Sequence, residues 1–178
     1  MDFSIDKWMN ALRERKAEIL KFLSENGYAK DYINKTKAVA PFFRLNRTSL
    51  SELRVACIMD RFSRDSYAPE CELCELTPDG WKEEIDSFKP DLVFIESAWE
   101  GKDRLWYRKI SHCSKEYFEM TKYCQEKNIP ILFWNKEDPA FWGNTSYDFV
   151  DTALHFDHIF TTSQECLNKY IELGHTSV

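Results

Sequence analysis

From residue 53 onward, apolar runs of strand length alternate with stretches of helical periodicity. That alternation limits the fold more than any other feature of the chain. Leu53–Met59 (LRVACIM) is a nearly continuous apolar run, the pattern of a strand buried on both faces. Glu72–Leu76 reads as a short alternating strand, and Thr77-Pro78 opens a helix with Trp81, Ile85 and Phe88 on its apolar side. Lys89-Pro90 stops that helix, and Leu92–Ile95 gives a third strand. A long helix is expected from Ser114 to Lys127, then a fourth strand over Pro130–Trp134. A helix near Tyr147–His155, a fifth strand at His158–Phe160 and a last helix starting at Thr162 complete the pattern. Thr162 and Glu165 fit a capping box, and Gly174 ends the helix. Strands separated by helices require crossovers, so the expected fold is α/β. It is a Rossmann-like or flavodoxin-like three-layer sandwich, with a parallel sheet of about five strands.

The first 52 residues follow a different pattern and are expected to form a helical arm, with the Rossmann-like domain spanning 53–178. Ile5, Trp8, Met9, Leu12, Ile19, Phe22 and Leu23 recur at helical spacings. Ser4 is a candidate cap, Asn26-Gly27 a stop, and Lys30–Lys37 a second, weaker helix. Residues 1–54 carry 11 Lys/Arg against 7 Asp/Glu, a net of +4. The remaining residues carry 13 against 23, a net of −10. Either the arm packs on the sheet of the acidic body, or its basic side, with Arg13, Arg15, Lys16 and Lys21, meets an anionic membrane or polymer. A net charge of −6 argues against a general nucleic-acid binder. No apolar run reaches bilayer length, and Met1–Leu12 lacks the apolar core of a signal peptide. A cytoplasmic location is expected, and the membrane alternative for the arm would place the chain at the inner membrane face. The six cysteines follow no secreted-type framework and read as reduced thiols. Cys71 and Cys74 form a lone CxxC whose side chains point to opposite faces of the expected strand, so neither zinc nor a disulfide is expected there.

Open α/β sheets bind ligands at the carboxyl ends of their strands, and the polar residues of this chain collect there. Asp60-Arg61-Phe62-Ser63 follows the first strand. Glu96-Ser97-Ala98-Trp99-Glu100-Gly101-Lys102-Asp103 follows the third. Asn135-Lys136-Glu137-Asp138-Pro139 follows the fourth, and Thr161-Thr162-Ser163 the fifth. Carboxylates, amides, hydroxyls and an indole suit a carbohydrate, whose hydroxyl pairs bind polar groups and whose ring face packs on an aromatic. Each feature also has a structural explanation: Asp60 as a helix cap, Glu96 as a buried paired carboxylate, Asn135–Pro139 as a turn, and Trp99, Trp134 and Trp142 as packing. The four histidines show no ligand spacing. The topological switch is expected beside the first strand, flanked by the residues after the first and fourth strands. No GxGxxG, GxxxxGK[ST] or GxSxG occurs, which disfavours the common oxidoreductases, NTPases and serine hydrolases.

Several segments together resemble a family. They are Met59–Ser63, Pro69-Glu70-Cys71, Leu76-Thr77-Pro78 through Trp81, and Lys89–Trp99 with Gly101-Lys102-Asp103. Ile129-Pro130, Phe133–Pro139, Phe156-Asp157, Phe160-Thr161-Thr162 and Leu173-Gly174-His175 complete the set. In this order they resemble the N-terminal half of CgeB-like bacterial glycosyltransferases of the spore-coat and minor teichoic-acid type. The resemblance implies the acceptor side of a GT-B enzyme. The donor, a nucleotide sugar and in this family most often a UDP-linked one, would be held by a C-terminal domain or partner chain that this sequence lacks, leaving the fragment inactive alone. It implies a glycan, polymer or protein hydroxyl as acceptor, and no metal or other cofactor on this chain. Catalytic carboxylates would come from Asp60, Glu96, Glu137 and Asp138. Substrate contacts would come from Phe62, Ser63, Ser97, Trp99, Lys102, Asn135, Lys136, Thr161 and Thr162. The alternative function is a non-catalytic binding or scaffold domain that kept the Rossmann-like fold.

Overall fold

The apolar runs become five parallel strands: β1 (Arg54–Ile58), β2 (Glu72–Glu75), β3 (Leu92–Glu96), β4 (Ile131–Asn135) and β5 (His158–Thr161). This is a computed structural model, and it describes residues 49–144 and 147–175. The expected arm helices lie outside the described residues. The strands are ordered β2-β1-β3-β4-β5, the flavodoxin-like arrangement. Helices α1 (Arg61–Tyr67), α2 (Trp81–Phe88), α3 (Lys115–Glu126), α4 (Val150–Ala153) and α5 (Gln164–Glu172) connect or follow them. The expected five-strand α/β sandwich is therefore present.

Strand order fixes which face each helix covers. The step from β1 to β2 runs one way across the sheet, and the steps to β3, β4 and β5 run the other way. Right-handed crossovers then put α1 on one face and α2, α3 and α4 on the opposite face. The packing agrees. Ile85 of α2, Tyr117, Met120 and Cys124 of α3, and Val150 and Ala153 of α4 share one large apolar cluster with Ala56, Ile58, Val93, Ile95, Ile131, Phe133 and Ile159. The other face holds a smaller cluster of Leu53, Val55, Cys57, Met59, Leu92 and Leu132, with Tyr67 of α1 at its margin.

Helix ends follow local chemistry. Ser114 caps α3 and accepts from the Tyr117 N–H at 3.3 Å. Two expected caps move. Thr77 does not start α2, which begins at Trp81; its hydroxyl instead accepts from the Gly80 N–H at 3.2 Å. Glu84 reaches back to the Thr77 N–H at 2.8 Å. The last helix is capped by Ser163, which accepts from the Cys166 N–H at 3.3 Å, because Thr162 is engaged elsewhere. The helix expected over Tyr147–His155 is reduced to the single turn Val150–Ala153. The neighbour of β1 across the switch is β3, not β4. The residues flanking the crevice are therefore those after the first and third strands. Among the described residues, no helix is long and apolar enough to cross a membrane.

Candidate functional site

The loops after β1, β3, β4 and β5 leave one edge of the sheet, as parallel strands require. There the polar residues sort into three groups rather than one crevice.

The first group forms around Asp60. It occupies the position before α1, yet its side chain makes no cap hydrogen bond. It turns instead to the loop after β3. Oδ1 accepts from the N–H groups of Glu100 (3.0 Å) and Gly101 (2.9 Å), and Oδ2 from that of Trp99 (3.0 Å). Three successive N–H groups curled around an anion form a nest. Gly101 makes the curl possible with φ 64° and ψ −164°, a conformation nearly confined to glycine. The Lys136 ammonium, from the loop after β4, lies 3.3 Å from Asp60 Oδ2 and 2.9 Å from Glu96 Oε1. Glu96 is fully buried at the end of β3 and also accepts from the Asp60 N–H at 2.6 Å. Its other oxygen, Oε2, is buried with no hydrogen-bond partner. Ser97 Oγ accepts from the Lys136 N–H at 3.1 Å, fixing the lysine's backbone.

The electrostatics follow from these contacts. Burial alone pushes the Asp60 carboxyl up, but the three N–H donors and the Lys136 ammonium outweigh it, and the group titrates below its ordinary value. Burial likewise pulls Lys136 down, while Glu96 and Asp60 more than compensate and raise it. Both groups stay charged through neutral pH.

The second group ties β4 to β5 and α5. The buried Asn135 side chain donates from Nδ2 to Asp138 Oδ1 and to the Tyr170 hydroxyl, both at 2.9 Å. Thr161 donates to Asp138 Oδ2 at 2.7 Å, and Thr162 to the Asp138 carbonyl at 2.8 Å. Burial raises the Asp138 carboxyl despite these donors. The third group is aromatic. Trp99 donates from Nε1 to Glu137 Oε1 at 2.9 Å. Its ring lies 4.7 Å from that of Tyr147 and 5.2 Å from that of Phe141.

The four carboxylates named from the sequence thus fall into three settings: Asp60 with Glu96, Glu137 on the indole, and Asp138 with Asn135. Ser97, Trp99, Asn135, Lys136, Thr161 and Thr162 join these groups. Three named residues do not. Phe62 is 85% exposed, Ser63 is buried within α1, and Lys102 is exposed on the loop after β3. Sequence reasoning gave Gly101 no role of its own and missed Trp106 and Tyr170. Trp106 is fully buried and donates from Nε1 to the Leu76 carbonyl at 2.7 Å, pinning the loop that carries the nest. Among the described residues, no group of three or more His, Cys, Asp or Glu side chains is arranged to hold a metal ion. Cys71 packs with the smaller cluster and Cys74 against the larger, on opposite faces of the sheet.

No family model matches this chain, and no curated protein matches it. Among solved structures, it is similar to the N-terminal domain of the nisin resistance regulator NsrR, a lantibiotic response regulator. The TM-score is 0.38 and the identity 15%, over 68% of this chain and 97% of that one. The expected kinship with CgeB-like glycosyltransferases is therefore corrected. No glycosyltransferase family model and no curated glycosyltransferase matches the chain. With the kinship fall the GT-B architecture, the nucleotide-sugar donor and the teichoic-acid acceptor inferred from it. The motifs behind the resemblance that carry polar residues run from the ends of β3 and β4 into the loops that follow. In this structure Glu96, Ser97, Trp99, Lys136, Glu137 and Asp138 hold those loops to one another.

Proposed function

We propose that this chain is a non-catalytic binding domain whose strand-end edge is a fixed platform for a protein partner. One observation carries the reading: the Asp60 carboxylate, at the switch point, is saturated by three backbone N–H groups and an ammonium from its own chain. A general base or ligand-binding carboxylate needs a free lone pair facing solvent. Asp60 has spent its lone pairs, and Glu96 is out of solvent's reach.

The network holds in place the loops that leave the same edge, and those loops carry the exposed apolar groups. Phe62, 85% exposed, lies in the first turn of α1 just after β1, while Leu105 and Tyr107, each about half exposed, follow β3. Arg61 and Arg104 stand beside them, largely in solvent. Aromatic and arginine side chains on rigid supports are the residues that dominate protein interfaces. The partner that suits them is a segment pairing apolar or aromatic residues with acidic ones.

Selection of random peptides on the purified full chain tests this. Enriched peptides are expected to combine acidic and aromatic residues. Their binding is expected to fall at least tenfold in Phe62→Ser or Tyr107→Ser and to persist in Phe118→Ser, which alters an exposed aromatic on α3. Peptides whose binding survives both edge variants, or is displaced by a nucleotide, would refute the reading.

A further inference from the structure

The two edge strands of the sheet differ. On β5, His158 and Ile159 are buried. Among the five strands, β2 alone has no buried residue: Glu72 is exposed, and Leu73, Cys74 and Glu75 are half-buried. The Glu72 N–H donates to the Leu53 carbonyl and the Leu76 N–H to the Cys57 carbonyl, both at 2.9 Å, so residues 72, 74 and 76 direct their backbone groups at β1. Leu73 and Glu75 therefore turn their N–H and C=O groups outward. No backbone partner for those groups occurs among the described residues. Unpaired groups along an edge are a template for another strand, and proteins commonly blunt such edges with free charge, proline or a bulge. Strand β2 has none of these. It contains no Lys or Pro, and its register with β1 is unbroken. Its two carboxylates are neutralised from within, Glu72 by Arg54 at 3.4 Å and Glu75 by Arg64 at 3.3 Å.

We propose that β2 pairs with β2 of a second copy of this chain, antiparallel about a two-fold axis, joining two five-strand sheets into one. The register that uses both outward residues sets Leu73 against Glu75 of the second copy, and Glu75 against its Leu73. Cys74 then stands opposite Cys74 of the second copy as a non-hydrogen-bonded pair, with Cα atoms about 4.5 Å apart and both side chains on one face. The same register sets Leu76 against Glu72 of the second copy, and charge favours that match. Trp106 ties the loop after β3 to the Leu76 carbonyl at 2.7 Å. That loop carries Lys102, which is exposed, forms no ion pair among the described residues and acts electrostatically on the Cys74 thiol. Lys102 of each copy thereby comes beside Glu72 of the other, whose side chain is 60% exposed in the single chain. A foreign strand would have to bring an acid to that position; a second copy brings it by symmetry, twice.

Amide hydrogen exchange on the full chain, read by NMR, tests the pairing directly. The Leu73 and Glu75 amides are expected to exchange freely in dilute solution. As the chain is concentrated they are expected to gain at least tenfold protection, in step with a dimer seen by sedimentation equilibrium. Oxidation with diamide is expected to trap that dimer through a Cys74–Cys74 disulfide, identified by mass spectrometry. Cys74→Ser is expected to lower the trapped yield at least tenfold, and Cys71→Ser and Cys113→Ser to leave it unchanged. Lys102→Glu is expected to weaken the dimer about threefold or more, and Glu72→Lys added to it to restore the dimer. A chain that stays monomeric, or a dimer in which the Leu73 and Glu75 amides gain no protection, would overturn the proposal. Protection independent of concentration would assign the edge to a strand of the same chain and overturn it too. So would equal trapping through Cys74 in urea, where only collision brings the thiols together.

Discussion

Lys136→Met is the most informative single change. The ammonium is the only cation within hydrogen-bond reach of the fully buried Glu96, at 2.9 Å among the described residues, and it also holds Asp60 at 3.3 Å. Methionine keeps the length and apolar stem of lysine and removes the charge. Glu96 would keep one donor, the Asp60 N–H, and an Oε2 that already lacks a partner. Removing one member of a buried ion pair costs about 3–5 kcal/mol. Lys136 and Asp60 each retain 22% side-chain exposure, so water offsets part of the loss and the lower end applies, about 3 kcal/mol. For a chain of this size that is roughly 6–12 °C in unfolding midpoint. Urea unfolding at pH 7, followed by tryptophan fluorescence and circular dichroism, measures it.

The same experiment separates a platform from a reactive site. Reactive sites hold their charges at a cost, so neutralising them commonly raises stability. A platform loses stability. The double variant Lys136→Met/Glu96→Gln sharpens the distinction, because removing both charges leaves no buried ion unpaired. Its loss should fall short of the sum of the single losses by about 1–3 kcal/mol. Additivity within about 0.5 kcal/mol, or a Lys136→Met variant more stable than the parent, would refute the reasoning.

Three other outcomes follow from the geometry. The Asp60 carboxyl is lowered in the folded state, so its contribution is complete above the unfolded value near pH 4 and is lost as pH falls through the lower folded value. The stability gap between wild type and Asp60→Asn should therefore shrink below about pH 4, and a gap constant down to pH 2.5 would contradict the nest. Gly101→Ala would place a Cβ 2.9 Å from Trp106 Cδ1 at a φ of +64°, and a loss of at least about 2 kcal/mol is expected in thermal unfolding. Cys71 and Cys74 pack on opposite faces, so elemental analysis of the purified chain should find no zinc lost in the Cys71→Ala/Cys74→Ala variant.

The strands were legible because a parallel sheet is buried on both sides, which leaves apolar runs that no loop imitates. Leu53–Met59 contains β1 whole, and Leu92–Ile95 misses only Glu96 at the end of β3. Helix ends were less legible because several polar groups compete for each one. Thr162 and Ser163 are equally good caps on paper; the structure uses Ser163 because Thr162 donates to the Asp138 carbonyl, a partner 24 residues away. The strand-end clustering of polar residues was also readable, since it depends only on where strands stop.

What those polar residues do depends on strand order, and order is not written locally. Placing β4 rather than β3 beside β1 would pair Asp60 with the Asn135–Asp138 segment. The actual neighbour brings Trp99, Glu100 and Gly101 to Asp60, and only Lys136 crosses from the next strand. The residues that close the edge act through backbone groups: Gly101 through its torsion angles, Trp106 through a carbonyl, Asp60 through three N–H donors. None leaves a side-chain pattern in the sequence. Motifs such as Glu96-Ser97-Ala98-Trp99 and Asn135-Lys136-Glu137-Asp138 are therefore poor witnesses to chemistry. A carboxylate held by its own loop and one held ready for a substrate are spelled with the same letters. Only the count of its satisfied lone pairs tells them apart.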